Sequence, residues 1–186
     1  MFLADTTSDL REQRETIRRD QPANGFTMPG GYAQYISVPA THALPLPDEL
    51  SFVEAAPLFC AGMTVYPALK NGGLRPGQRV AILGIGGLGH LAVKFAAAYG
   101  CEVTAFTSSE SKFDEARGFG AHHVVSSKDS VAIGKLAGSF DLLLSTVNVR
   151  LDWDAIIAAL APEGRLHVVG VVPGHMRRPG RQRLHS

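Results

Sequence analysis

Residues 79–109 read RVAILGIGGLGHLAVKFAAAYGCEVTAFTSS, and the fold follows from how that stretch is parsed. Val80, Ala81, Ile82 and Leu83 form a short unbroken apolar run, the pattern of a strand buried on both faces. The run breaks into Gly84, Gly86 and Gly89, a G-x-G-x-x-G. Leu91, Ala92, Phe95, Ala96 and Tyr99 then recur at helical spacing, Gly100 ends the helix, and residues 103–106 begin a second strand. Such glycines alone are weak evidence. Framed as strand, turn, helix and strand, they point to a dinucleotide site, against the plainer reading of a glycine-rich turn without ligand.

Each glycine has a physical task in that arrangement. Gly84 permits the tight turn out of the strand, Gly86 lets backbone approach a pyrophosphate, and Gly89 lets the helix pack closely on the sheet. The helix N-terminus then aims unpaired N–H groups and its positive dipole end at the phosphates. His90 follows the motif; as a first-turn residue it is either a plain helix position or a cofactor contact.

The tip of the second strand carries finer information. An acidic residue about 20 positions beyond the glycines is the usual partner of an NAD ribose. That place falls near Thr107, followed by Ser108, Ser109, Glu110, Ser111 and Lys112, with no carboxylate at the strand end itself. Hydroxyls and a lysine donate hydrogen bonds and positive charge, which suits the 2′-phosphate of NADP. Ser108 and Ser109 can equally cap the next helix, and a Glu110 carboxylate turned inward would repel a phosphate.

Composition restricts the rest. With 186 residues, 45% hydrophobic and 19% charged, the chain suffices for one well-cored domain and a fragment of another. A net charge of +1 gives no reason to expect nucleic acid or an anionic membrane surface as partner. Cys60 and Cys101 cannot make a disulfide framework, residues 1–3 are too short for a signal peptide, and no apolar run reaches membrane-spanning length. The expected compartment is the cytoplasm.

Along the chain, residues 1–24 read as a polar arm, either a solvated helix from Ser8 or Asp9 through Arg19 or a disordered segment. A strand is expected at 32–38, then an extended, proline-punctuated segment containing His42. Ser51 and Glu54 open a capping-box helix that should run on through Cys60, with Gly62, Pro67 and Gly72-Gly73 interrupting or ending it. Beyond residue 109, helices are expected at 113–119, 130–136 and 153–160, the last ended near Gly164. Strands are expected at 123–126, 140–145 and 166–172. Strands alternating with helices imply a parallel sheet with right-handed crossovers, an α/β Rossmann doubly wound fold of order 3-2-1-4-5 without a sixth strand.

Several segments together are similar to the zinc-type medium-chain alcohol dehydrogenases, in particular the cinnamyl alcohol dehydrogenase-like branch. They are GGYAQYISVPATHALPLPDEL, EAAPLFCAGMTVYPAL, LRPGQRVAILGIGGLGHLAVKFA and TSSESK, and the likeness runs from about Gly30 to about Pro173. The resemblance implies NADP(H)-dependent hydride transfer between an alcohol and its aldehyde, a zinc ion polarising the oxygen. It implies that Cys60 is one ligand of that zinc and that Thr64 lies against the nicotinamide end. Gly84, Gly86, Gly87, Leu88 and Gly89 would cradle the pyrophosphate; Ser108, Ser109 and Lys112 would grip the 2′-phosphate. Thr146, Val147, Gly170 and Val171 would line the nicotinamide. For Cys60 the plain alternative is a buried small residue in an alanine-rich helix.

On this resemblance residues 25–73 are the remnant of a β-rich, GroES-like catalytic domain with a linking helix, 74–173 the NADP-binding domain and 174–186 a basic tail. A catalytic zinc takes three protein ligands, and the family's other two lie in segments this sequence does not contain. His122, His123, His167, His175 and His185 supply no H-x-x-x-H pair, and Cys101 belongs to the other end of the first helix. The tail HMRRPGRQRLHS reads as solvated or as sequence from a shifted frame. Without a sixth strand the fifth is an open edge, free to pair with another chain, and a homodimer is the candidate assembly. The expectation is a chain that binds NADP(H) with little turnover. The alternatives are a non-catalytic NADP-binding fragment and a zinc-independent enzyme of quinone-reductase type.

Overall fold

The computed structural model describes residues 40–149 and 152–170, and the side chain of every one of them except His42. The expected polar arm, the strand at 32–38, Val171, the histidines 175 and 185, and the basic tail lie outside the described residues. The chain divides into two units, Met1–Ala56 and Pro57–Ser186.

In the first unit Ala40–His42 form a 3-10 turn, where an extended segment was expected. Helix α1, Phe52–Ala55, starts at the capping box the sequence announces. The Glu54 N–H donates to Ser51 Oγ at 3.3 Å, and the Ser51 N–H and hydroxyl donate back to Glu54 Oε2 at 3.1 and 2.6 Å. Those bonds to the carboxylate hold the Glu54 pKa below its usual value. The long helix expected through Cys60 is instead three elements: α1, a 3-10 segment Ala56–Phe59, and α2, Ala61–Asn71. Pro57 removes an N–H that a continuous α-helix would need, which breaks the first run. Gly62 and Pro67, expected as breaks, both sit inside α2, and the helix ends at Gly72, whose N–H reaches Ala68 O at 2.9 Å.

The second unit is built on five parallel strands: β1 Arg79–Leu83, β2 Glu102–Thr107, β3 His123–Ser126, β4 Phe140–Ser145 and β5 Leu160–Val168. Their spatial order is β3-β2-β1-β4-β5, as the alternation of elements predicts. The crossovers are α3 Gly89–Ala98, α4 Phe113–Gly118, α5 Ser130–Gly134 and α6 Trp153–Ala158.

The sheet is covered on both sides. One face packs Val80, Ile82, Val103, Ala105, Leu142 and Leu144 against Val65 and Leu69 of α2 and the buried side of α3. The other packs Ala81, Leu83, Phe106 and Leu143 against Ile156 of α6 and Ala159. Val80, Ala81 and Ile82 are wholly buried, as a central strand covered twice requires.

The largest departure is in β5. It was expected at 166–172 but runs from Leu160 to Val168, and α6 stops at Ala158 rather than continuing toward Gly164. Pairing with β4 decides this. The Ser139 and Phe140 N–H groups both donate to Ala159 O, at 2.9 and 3.0 Å, drawing the chain into the sheet just after the helix. The register then slips between the pairs Phe140↔Leu160 and Leu142↔Arg165, an irregularity that contains Pro162 and Glu163, the latter at φ 64°.

Candidate functional site

The carboxyl ends of β1, β2, β4 and β5 meet around the glycine turn. Gly84 leaves β1 with φ +89°, a conformation that favours glycine, while its N–H continues the ladder to Phe106 O at 2.8 Å. A Cβ on Gly84 would strike Val147 Cγ1 and crowd Thr146 Oγ1. Gly89 opens α3 so close to the strand end that a Cβ there would fall on the Gly84 carbonyl oxygen. Gly86 and Gly87 border open space, and Leu88 at the N-cap provides no side-chain hydrogen bond to the first turn of α3. The turn is thus a cradle of backbone with a helix N-terminus behind it.

β4 is bolted to that turn. The Thr146 N–H and hydroxyl both donate to Leu83 O, at 3.0 and 2.9 Å, and Oγ1 also lies 3.1 Å from Gly84 O. Val169 and Gly170 donate N–H groups to Ser145 O at 2.9 and 3.3 Å, and a Cβ on Gly170 would meet the Val147 carbonyl. Ser145 Oγ, on a side chain with 0% exposure, has no hydrogen-bond partner among the described residues.

Lys112, in the 3-10 turn Glu110–Lys112 after β2, reaches back so that Nζ donates to Ile85 O at 2.9 Å. That contact joins the tip of β2 to the glycine turn. Ile85 was not a sequence candidate, and no pattern could flag it, since the group involved is a main-chain carbonyl. Ser109 stands at the N-cap of the 3-10 turn but makes no side-chain cap, contrary to its expected alternative role; its hydroxyl pairs with Ser111 Oγ at 2.7 Å. Ser108 and Glu110 are exposed. His90 Nδ1 sits 3.0 Å from Gly86 O, which the His90 main-chain N–H also reaches at 3.0 Å, and its ring rests on Phe119 at 5.4 Å between centroids.

Cys60 is exposed, which overturns its alternative reading as a buried helix residue. It stands at the N-cap of α2, and the Thr64 hydroxyl donates to its carbonyl at 2.9 Å. The bonds and close approaches that gather the glycine turn involve neither residue. Among the described residues no group of three or more His, Cys, Asp or Glu side chains is placed to hold a metal ion, so they do not fit a catalytic zinc. Cys101 is buried with Sγ donating to Arg75 O at 3.2 Å, and its burial raises the thiol pKa. No single helix among the described residues is long and apolar enough to cross a membrane.

The five-stranded order and the glycine turn at the strand tips define a Rossmann-type α/β domain. Residues 87–183 match the family model described as zinc-binding dehydrogenase, a match that extends ten residues past Pro173, the expected end of the likeness. This chain belongs to that family, the zinc-type alcohol dehydrogenases. It is 47% identical over 143 residues to the aldehyde reductase AdhA of Synechocystis sp., covering 77% of this chain and 43% of that one. With NADP-dependent alcohol dehydrogenase C 1 of Mycolicibacterium smegmatis it shares 41% over 152 residues, 82% of this chain and 43% of the relative. A cinnamyl alcohol dehydrogenase structure from Sorghum bicolor superposes with a TM-score of 0.69 at 38% identity, covering 73% of this chain and 39% of that one. The chain thus spans about two fifths of the length of the relatives it matches.

Proposed function

We propose that this chain is the cofactor-binding part of an NADP(H)-dependent oxidoreductase that interconverts a small or aromatic alcohol and its aldehyde. The observation that carries the reading is the backbone cradle at Gly84 and Gly89, with the Lys112 ammonium brought from the tip of β2 to the Ile85 carbonyl. A M. smegmatis relative described as NADP-dependent supports the phosphate preference. Gly84, Gly86, Gly87, Leu88 and Gly89 would hold the pyrophosphate, and Ser108, Ser109 and Lys112 the 2′-phosphate. Thr146, Val147, Gly170, Val171 and Thr64 would border the nicotinamide. Bound NADPH would give the hydride to the aldehyde, and NADP+ would take it from the alcohol; this chain's part would be to hold and orient the dinucleotide at the strand tips.

Cys60 is proposed as one zinc ligand whose partners would have to come from beyond the described residues. In the same reading residues 74–173 carry the cofactor and residues 25–73 belong to the GroES-like part, between a polar arm at 1–24 and a basic tail at 174–186. The proposed setting is a cytoplasmic protein, with a homodimer as its candidate assembly.

Fluorescence titration with NADPH and with NADH, with zinc content measured on the same sample, tests the reading. The expected result is NADPH binding about tenfold or more tighter, the worth of one or two charge-assisted hydrogen bonds. Equal affinities would remove the NADP assignment, and no binding of either would remove the dinucleotide site. Aldehyde reduction by the chain as given should be near background. NADPH-driven turnover abolished by a chelator would show a working zinc, and quinone reduction that survives the chelator would move the reading to a quinone reductase.

A further inference from the structure

The edge of the sheet opposite the glycine turn holds a second concavity. Where β1, β2, β3 and β4 begin, a cavity of about 500 Å³ is lined by Arg79, Glu102, Thr104, Arg117, His122 and His123. Val125, Leu136 and Phe140 complete it with apolar surface. The volume lies within the range of small-molecule sites.

Three observations describe what this cavity is equipped to hold. Thr104 is only 5% exposed, lines the cavity, and its hydroxyl makes no hydrogen bond to any described residue. The buried, unpartnered side-chain oxygen among the described residues is that of Ser145, so the Thr104 oxygen opens onto the cavity, where it can donate to a ligand. Next, the lining carries two guanidinium groups against one carboxylate, and that carboxylate is engaged: Glu102 Oε1 lies 2.9 Å from His123 Nε2. The arginines keep spare donors. Arg79 Nη2 is 3.7 Å from Asp141 Oδ1, and Arg117 bonds at 3.0 Å to an Asp114 whose side chain is 96% exposed, a pair that water screens. Finally, His122 Nδ1 accepts the Val103 N–H at 3.1 Å, which places the proton of a neutral ring on Nε2 and makes it a further donor.

We infer that this amino-edge cavity is a binding site for a small organic carboxylate with an apolar body. The carboxylate would take hydrogen bonds from Arg79, Arg117 and the Thr104 hydroxyl while its carbon skeleton lies against Val125, Leu136 and Phe140. The cavity shares no residue with the glycine turn, so the inference does not rest on the dinucleotide reading.

Benzoate is a suitable probe, with benzyl alcohol as the same ring without the charge and inorganic phosphate as the charge without the ring. In ¹H–¹⁵N correlation spectra of the full chain, benzoate should shift the Thr104, His122 and Phe140 amides saturably, and bind more tightly than either comparison probe. Arg117→Ala, at an exposed side chain, and Thr104→Val should each weaken benzoate about tenfold while their thermal midpoints stay at the parent value. The inference is overturned by any of four results: no saturable shift at these amides, benzyl alcohol binding as well as benzoate, phosphate binding more tightly than benzoate, or unchanged affinity in Arg117→Ala.

Discussion

At the scale of single residues, the glycine turn is held by what is missing. A methyl group at position 89 would occupy the place of the Gly84 carbonyl oxygen, so Gly89→Ala must push α3 off the end of β1. Urea unfolding should show a loss of about 1–3 kcal/mol, the ordinary cost of overpacking, together with weaker NADPH binding. Two neighbouring hydroxyls at the tip of β4 make opposite predictions. Ser145 Oγ is buried and has no partner among the described residues, so Ser145→Ala should leave stability unchanged or raise it by up to about 1 kcal/mol. Thr146 Oγ1 reaches the carbonyls of Leu83 and Gly84, so Thr146→Val should cost about 1–2 kcal/mol in the same measurement. Sequence patterns name Thr146 as a strand-tip residue but cannot tell these hydroxyls apart, because the partners of one are carbonyls more than sixty positions away.

At the scale of elements, local chemistry governs where its partners are local. The Ser51–Glu54 capping box was legible because both halves lie within one turn, and the structure forms both bonds. Its pH dependence follows from the lowered Glu54 pKa. A carboxylate whose folded pKa is depressed adds stability above its unfolded pKa, and that stability is lost as pH falls through the folded value. Ser51→Ala should return the Glu54 carboxyl toward the usual range, read from its side-chain chemical shift on acid titration. The bounds of β3 and β4 agree with the apolar runs that announced them. β5 does not, since its start is set by N–H groups of residues 139 and 140 rather than by its own periodicity. The break before Cys60 was readable in principle from Pro57, but the alanine-rich sequence around it suggested a continuous helix.

At the scale of the whole molecule, the second unit depends on a sheet covered on both faces. Leu144, fully buried on the side shared with α2 and α3, belongs to a strand with neighbours on both sides. Leu144→Ala should cost about 2–5 kcal/mol in denaturant unfolding. A midpoint close to the parent's would mean that β4 is not the interior strand described, paired on both sides.

What the sequence by itself determined is the succession of strands and helices, the parallel order 3-2-1-4-5 and the glycine turn, because apolar period, caps and glycine conformation act over a few residues. Tertiary structure alone decided the register and early start of β5, the Lys112 bridge to Ile85, the isolation of Ser145 Oγ and the cavity around Thr104. Those features arise where distant segments offer one another backbone groups or leave a polar atom without one, and no local pattern encodes the distance between them.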